Sequence, residues 1–398
     1  MTGDRIDGPL EYLRPSDAEF ERRRSALGEL LHSAGVDALL IYGNEAARHE
    51  IRFLTGWPAG WDTYVCWTPG ALPLIYLPSP NHVETASTLT SGVALARDVG
   101  VNPVATVAGE LGAASHPVAR RRRVGILGPI PASTHRRLGD AFGDVRLIDV
   151  SAEFRALRLV KSEEEIAWTR QAAGLCDEAI RALVMAVRPG VKDDELVGTV
   201  EYAYRRRGGD HGICFLSSFA TAGGGRLAPA QYASRRQLRD GDAVMIELSA
   251  GVAGYTSQIL RTIALEGPLP AAFERVHHVA DAAFQAIAER VRPGATAADL
   301  LAAARVIDDA GLTVVDDVVH GYGGGYLPPV LRTPATQVRP VADLVLAPGM
   351  MLVVQPNVVD PDRHLGVQTG ELLLVTPTGH ERLHQVPAGL LMAAPRSA

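Results

Sequence analysis

Apolar and charged residues alternate at helical spacing from Glu19 to Ala34, and the apolar run Asp37 to Tyr42 follows before the turn pair Gly43-Asn44. This pattern predicts an amphipathic helix feeding a buried strand. Short apolar runs recur at Tyr64 to Trp67, Leu72 to Leu77, Arg123 to Leu127 and Val145 to Val150, with helical spacing at Asn81 to Thr88 and Ser133 to Phe142 between them. Strands interleaved with helices describe an α/β layer domain, assigned to residues 1–155. Farther on, Ser162 precedes Glu163, Glu164 and Glu165, and an amphipathic stripe continues to about Ala186. A serine with a glutamate three residues later is a capping box, so Ser162 opens a long helix and a second domain occupies residues 156–398.

Within that second domain, Arg188-Pro-Gly-Val-Lys-Asp-Asp-Glu-Leu196 and Arg292-Pro-Gly-Ala-Thr-Ala-Ala-Asp-Leu300 match at Arg, Pro, Gly, an acidic residue and Leu. Each copy follows a long helix, and in the second copy Thr296 and Asp299 form another capping box. Such a repeat implies two related helix-helix-strand halves about a pseudo-two-fold axis with a cleft between them. The helix predicted from Phe273 to Arg290 carries His277-His278, read as a surface or hinge pair.

Composition narrows the function classes. The chain has 398 residues, 47% apolar and 21% charged, enough for a large core in two or three domain-sized units. Its 39 basic against 45 acidic residues leave a net charge of -6, which disfavours binding to a phosphate backbone. The basic run Arg120 to Arg123 reads as a solvated loop, so no nucleic-acid partner is expected. Cys66, Cys176 and Cys214 lack any C-x-x-C spacing, which argues against a disulfide framework or thiolate zinc site and fits a reducing compartment. Met1 to Asp17 holds no apolar targeting core and no long uncharged apolar run occurs, so a soluble, cytoplasmic protein without a membrane partner is expected. The glycine clusters Gly223 to Gly225 and Gly321 to Gly325 lack the phosphate-loop patterns, and no Gly-x-Ser-x-Gly elbow is present.

Leu157-Arg-Leu-Val-Lys-Ser-Glu-Glu-Glu-Ile166, Leu238-Arg-Asp-Gly-Asp242, Gly254-Tyr-Thr-Ser-x-x-x-Arg-Thr262, His320-Gly-Tyr-Gly323 and Leu346-Ala-Pro-Gly-Met350 stand in this order along the chain. In order and approximate spacing they resemble the pita-bread peptidase family M24, which includes methionine aminopeptidase, aminopeptidase P, prolidase and creatinase. Arg52-Phe-Leu-Thr-Gly56 is similar to the N-terminal domain of the prolidase and creatinase branch, so the resemblance covers almost the whole chain. It implies an α/β creatinase-like N-terminal domain followed by an α+β pita-bread domain with pseudo-two-fold symmetry.

Peptidases of this family hold two divalent ions on two Asp, one His and two Glu, because hard cations need several anionic oxygens. Carried over residue by residue, the first Asp falls on Glu247, the second on Gln258, the His on His320 and the first Glu on Gln355. The last Glu falls on Gly370, with Glu371 beside it. Two amides and a glycine do not balance two divalent ions, so the resemblance implies a divergent member with no metal and no cofactor. A single ion on Glu247, His320 and a shifted Glu371 is the alternative. Creatinase, the metal-free branch, uses a His at the position of Ala230 and two Glu at Gln258 and Gln355, and the family's second His falls on Leu327. The chain departs from both patterns.

Paired Gln258 and Gln355 imply a polar, nearly neutral cleft able to grip a carbonyl, amide or ring. His320, an imidazole titrating near neutrality, is the expected proton-transfer residue, with Glu247 beside it as orienting or catalytic partner. Tyr255, Tyr322, His211, Phe215, Arg261 and Glu371 complete the expected substrate-binding set, although His211 in Gly208 to Gly212 also suits a solvated loop. Trp61 and Tyr64 join them from the loop Gly56 to Tyr64, which in the creatinase branch reaches the partner subunit's active site; this implies a homodimer. The expected function is a metal-independent enzyme acting on a small molecule at a C–N or C–O bond by acid-base chemistry. Hydrolysis comes first, with elimination, isomerisation or cyclisation allowed. Two alternatives stand beside it: a metal-dependent Xaa-Pro aminopeptidase-like peptidase, and a non-catalytic small-ligand or partner-binding module.

Overall fold

A computed structural model of the chain describes residues 13–45, 47–113, 123–143, 145–223, 232–362 and 365–395. Most of the basic run Arg120 to Arg123, most of the glycine cluster at 223–225, Ala230 and the first twelve residues lie outside them. The chain divides into two compact units, Met1–Leu157 and Arg158–Ala398.

In the first unit, α1 (Asp17–Ala34), β1 (Ala38–Gly43) and α2 (His49–Thr55) lead into β2 (Thr63–Trp67) and β3 (Leu74–Leu77). Next come α3 (Pro80–Leu89), β4 (Leu95–Asp98), α4 (Pro103–Ala113) and β5 (Arg123–Leu127). The unit ends with α5 (Ala132–Phe142), β6 (Arg146–Asp149) and α6 (Ser151–Leu157). Its strands form one mixed sheet ordered β4-β3-β2-β1-β5-β6. Every residue of β1 is buried because that strand is central, antiparallel to β2 and parallel to β5. The Ser16 hydroxyl accepts from the Glu19 amide to start α1, and Gly35 at φ 62° ends it.

The second unit opens with α7 (Glu163–Ala186), α8 (Asp193–Arg205), β7 (Asp210–Ala220), β8 (Asp242–Val252) and β9 (Tyr255–Ala264). A matching half follows in α9 (Ala271–Ala288), α10 (Ala297–Ala303), α11 (Arg305–Asp309), β10 (Thr313–Val314), β11 (Val319–Tyr322), β12 (Tyr326–Leu331) and β13 (Met351–Val354). It closes with β14 (Asn357–Val359), β15 (Gly366–Gln368), β16 (Gly370–Val375), β17 (His380–Arg382) and β18 (Leu391–Met392). The main sheet runs β12-β11-β13-β16-β9-β8-β7, with β17 on β16 and β18 on β9; β10, β14 and β15 make a small second sheet.

The capping box at Ser162 is present, its backbone N–H donating to Glu165 Oε2 at 2.8 Å and its hydroxyl accepting from the Glu165 amide at 3.2 Å. The nine-residue repeat is structural as well. Gly190 N donates to Leu238 O and Gly294 N to Leu346 O, while Leu238 N returns to Val191 O and Leu346 N to Ala295 O. Equivalent residues thus make equivalent backbone bonds in the two halves, which is the pseudo-two-fold symmetry read from the sequence.

One face of β8 and β9, carrying Val244, Ile246, Leu248, Ile259 and Ile263, packs on Cys176, Ile180 and Leu183 of α7 and Leu196 and Val200 of α8. On α9, Phe273, Val276, Ala280 and Phe284 enter the second core. His277, read above as a surface residue, is buried on that stripe with its Nδ1 3.0 Å from Asp281 Oδ2, whereas His278 one residue on is exposed. Among the described residues, no helix is long and apolar enough to cross a membrane.

Candidate active site

Strand alternation decides which side chains reach the open face of the sheet. In the β8–β9 register Glu247 lies opposite Leu260 and Ser249 opposite Gln258, so these four share one face. Phe215 of β7 stands opposite Glu247 and joins them. Gln258 Nε2 donates to Glu247 Oε1 at 2.7 Å and to Gln355 Oε1 at 3.2 Å. Gln355 Nε2 in turn donates to Asp317 Oδ2 at 3.2 Å and to the Asp317 carbonyl at 3.3 Å, and the Asp317 amide donates to Asp316 Oδ1 at 2.8 Å. Two side-chain amides therefore connect the Glu247 and Asp317 carboxyls, and the Asp317 backbone amide holds the Asp316 carboxyl. Gln258, Gln355, Glu247 and Asp317 are buried, and Asp316 is exposed.

Burial pushes the Glu247 carboxyl up to about 7, with the charge of Asp316 adding to it, and raises Asp317 to about 8. His320 is fully buried; its Nδ1 donates to the Gly321 carbonyl at 3.1 Å and its ring stacks on Tyr326 with centroids 3.8 Å apart. Desolvation lowers its pKa to about 4. The expectation of an imidazole titrating near neutrality and oriented by Glu247 is thereby corrected: the ring is neutral at pH 7, and Glu247 bonds Gln258 instead. Among the described residues, His320 Nε2 and Gln258 Oε1 have no hydrogen-bond partner.

Tyr322 reaches the same face, its hydroxyl donating to Ser249 Oγ and accepting from Thr256 Oγ1, each at 3.0 Å. Tyr255 and Arg261, offset from Gln258 by odd numbers of residues, lie on the opposite, helix-packed face rather than in the cleft. The Tyr255 hydroxyl donates to Glu165 Oε1 at 2.8 Å. Arg261, 1% exposed, donates to the Gly370 carbonyl at 2.7 Å, the Pro387 carbonyl at 2.9 Å and Glu371 Oε2 at 2.6 Å. Glu371 sits opposite Ile259 on that helix-packed face and is also taken by Arg382. A one-residue offset in a strand changes the face, so Glu371 does not stand in for the acid missing at Gly370. Gly370 itself has φ 149°, and a Cβ there would meet the Val354 carbonyl oxygen at 2.2 Å.

His211 belongs to β7 rather than to a loop, with Tyr204 Oη 2.8 Å and Glu201 Oε1 3.6 Å from its Nδ1. Trp61, 67% exposed, and the buried Tyr64, whose ring lies 5.2 Å from that of Tyr42, belong to the first unit. The sequence reading missed Asp316, Asp317 and Tyr326, although two adjacent charges inside the apolar run Val314 to Val319 were a visible signal. It also missed His384, whose Nε2 lies 2.8 Å from Ser257 Oγ and whose Nδ1 lies 2.9 Å from Asp177 Oδ1. These three touch in the order of a nucleophile, base and acid, yet all are buried on the helix side of the sheet, where they anchor β9 to α7.

The residues at the family's metal positions do not fit a dinuclear centre. Gln258 turns a donor hydrogen, not a lone pair, toward Glu247, and Glu371 is spent on two arginines. Among the described residues no three His, Cys, Asp or Glu side chains are grouped to hold a metal ion.

A pseudo-symmetric α+β unit with a polar cleft, preceded by an α/β unit, defines a pita-bread hydrolase scaffold. Residues 167–377 match metallopeptidase family M24, and residues 23–160 match the creatinase/prolidase N-terminal domain. The chain belongs to the M24 family. It is 26% identical over 382 residues to the uncharacterized peptidase YqhT of Bacillus subtilis, covering 94% of this chain and 99% of that one. It is 28% identical over 236 residues to an Xaa-Pro dipeptidase of Pyrococcus furiosus, covering 59% of this chain and 66% of the relative. The crystal structure of dipeptidase PepE from Mycobacterium ulcerans superimposes with a TM-score of 0.77 at 25% identity, over 96% of this chain and 100% of that one.

These findings indicate a peptidase, a hydrolase, and they correct the functional expectation drawn from the ligand losses. Relatives of a metallopeptidase family whose names are dipeptidases overturn the metal-independent small-molecule enzyme. The inference failed because it weighed five positions above the rest of the chain.

Proposed function

We propose that this chain is a dipeptidase-type peptidase that cleaves short peptides, with Xaa-Pro dipeptides as the first substrates to test. The match of residues 167–377 to the M24 family carries the reading. The name of the Pyrococcus furiosus relative supports the substrate class. Metal belongs to the chemistry of this family, but the donors at the family positions do not suit it here, and no step is assigned to a metal.

What the chain's own residues supply is defined. Gln258 and Gln355 fix the positions of the Glu247 and Asp317 carboxyls, and Glu247, held near 7, can exchange a proton at physiological pH. Phe215 beside Glu247 gives an apolar wall for a side chain or pyrrolidine ring. The homodimer and cytoplasmic location expected from the sequence remain parts of this reading, to be checked by sedimentation and cell fractionation.

The test is amino-acid release from a panel of Xaa-Pro and other dipeptides, run with added Mn²⁺ and with chelator. Release that falls at least 100-fold in Glu247→Gln is the expected result. No release from any dipeptide under either condition refutes the proposal.

A further inference from the structure

We propose that the groove between α7 and α8, lined by Arg181, Tyr202, Arg206 and Arg207, is a phosphate-binding site. It takes free phosphate or the phosphate group of a ring-bearing ester of the nucleoside monophosphate class. The groove measures about 520 Å³, within the range of roughly 300–1,000 Å³ typical of small-molecule sites. It lies in the helix layer, behind the face of β8 and β9 that packs on α7, and no cleft residue lines it. An occupant there is an effector rather than a substrate.

Side-chain length makes the hollow, and helical spacing fills its rim with charge. Cys176, Ile180 and Leu183 of α7 and Leu196 and Val200 of α8 face the sheet, which turns Glu178, Arg181, Tyr202 and Arg206 outward. Ala182 and Ala203 lie at the floor, and their single methyl groups leave the space that longer side chains would fill. Arg206 stands one turn after Tyr202 with its guanidinium carbon 5.8 Å from the ring centroid, and Arg207 Nε lies 2.8 Å from Glu178 Oε2. Both contacts hold a guanidinium at the groove before any ligand arrives, which lowers the ordering cost of binding.

The neighbouring acids leave this charge uncompensated. Glu178 is taken by Arg207, and Asp177, one turn before Arg181, is buried against His384 and the Gln385 amide. Glu201 of α8 lies near Arg205 and His211 instead. Among the described residues no carboxylate forms an ion pair with Arg181 or Arg206, so three guanidiniums face one carboxylate in a chain of net charge -6. Guanidinium forks match phosphate oxygens two at a time, and the Tyr202 ring, 67% exposed, offers a stacking surface to a planar group. The internal repeat shows that the scaffold does not require these side chains. Carried through the register that sets Arg188 on Arg292 and Leu196 on Leu300, the second half has Ala282 at Glu178, Gln285 at Arg181, Val306 at Tyr202, Ala310 at Arg206 and Gly311 at Arg207. The matching helix layer thus folds with none of the charges that line the groove.

The test is calorimetric titration of the full chain with three probes: adenosine 5′-monophosphate, adenosine and inorganic phosphate. Each is titrated into wild type, Arg181→Gln, Arg206→Gln and, as a control for general loss of positive charge, Arg188→Gln outside the groove. All three arginines are exposed, so the variants keep the fold, and unchanged melting temperatures verify this. The expected result is a phosphate-bearing probe whose Kd rises about tenfold or more in Arg181→Gln and Arg206→Gln and stays unchanged in Arg188→Gln. A monophosphate bound about tenfold more tightly than inorganic phosphate and adenosine assigns the site to a ring-bearing ester; equal affinity for the monophosphate and inorganic phosphate assigns it to free phosphate. Unchanged Kd values in both groove variants overturn the proposal. So do an equal loss in Arg188→Gln, adenosine binding as tightly as its monophosphate, and the absence of binding by either phosphate probe at millimolar concentration. The readout is binding alone, so failure of the peptidase reading leaves it unaffected.

Discussion

Replacing Gly370 tests the account of the cleft at its most constrained point. The position is where the family's last metal-binding glutamate falls, and a Cβ built there would lie 2.2 Å from the Val354 carbonyl oxygen, 2.7 Å from Gln355 Cα and 3.0 Å from the Val354 carbonyl carbon. All three contacts are backbone atoms of β13 and its end, so no side-chain rotation relieves them. The φ of 149° alone costs a non-glycine residue roughly 1–3 kcal/mol, and the overlap adds a backbone shift of about 1–3 kcal/mol more. Gly370→Ala is therefore expected to lose about 2–6 kcal/mol. At about 2–4 °C per kcal/mol for a unit of this size, that is a fall in melting temperature of roughly 4–24 °C. Differential scanning calorimetry of wild type and variant measures it directly. A Gly370→Ala protein that melts within 2 °C of wild type would refute the reasoning, and with it the argument that this backbone excludes an acid at position 370.

Two further perturbations follow from the same structure. Glu371→Ala strands the guanidinium of Arg261, 1% exposed, and is expected to cost about 3–5 kcal/mol. Arg382→Ala removes a 41% exposed partner of the same carboxylate and should cost about 1 kcal/mol or less; equal losses from the two in urea unfolding would contradict the assignment. Lys161, buried and beside Arg158, has its pKa lowered to about 7, first by desolvation and then by that charge. Between pH 7 and the ordinary lysine value the unfolded chain binds a proton that the folded chain does not, so stability rises with pH across that window and is lost as pH falls toward 7. Lys161→Met should melt above wild type at pH 7, with the difference shrinking by pH 9; a constant difference across that range would rule out the proposed titration.

Local sequence signals were sufficient for the framework. In the first unit α1, α3, α5, β1, β2, β3, β5 and β6, together with the capping boxes at Ser162 and Thr296 and the repeat at Arg188 and Arg292, depend on contacts within a few residues or on periodicity and are legible in a linear reading, whereas α2, β4, α4 and α6 were not read from it. The pairing of Gln258 with Gln355 was also anticipated, though only through the family resemblance. Alternation within β9 already implied that Arg261 and Tyr255 point away from Gln258, and the same rule separates Glu371 from Gly370. Only the fold decided the rest. Asp317 meets Gln355 across 38 residues, Tyr326 covers His320 through the β11–β12 pairing, and His384 joins Asp177 across 207 residues. The shift of His320 to about 4 and of Glu247 to about 7 arises from exclusion of water by the assembled sheet. Propensity and capping act over one or two turns of chain and so are written in the sequence directly. Burial, sheet register and the electrostatics of a cleft arise from residues brought together over hundreds of positions, and those exist only once the chain has folded.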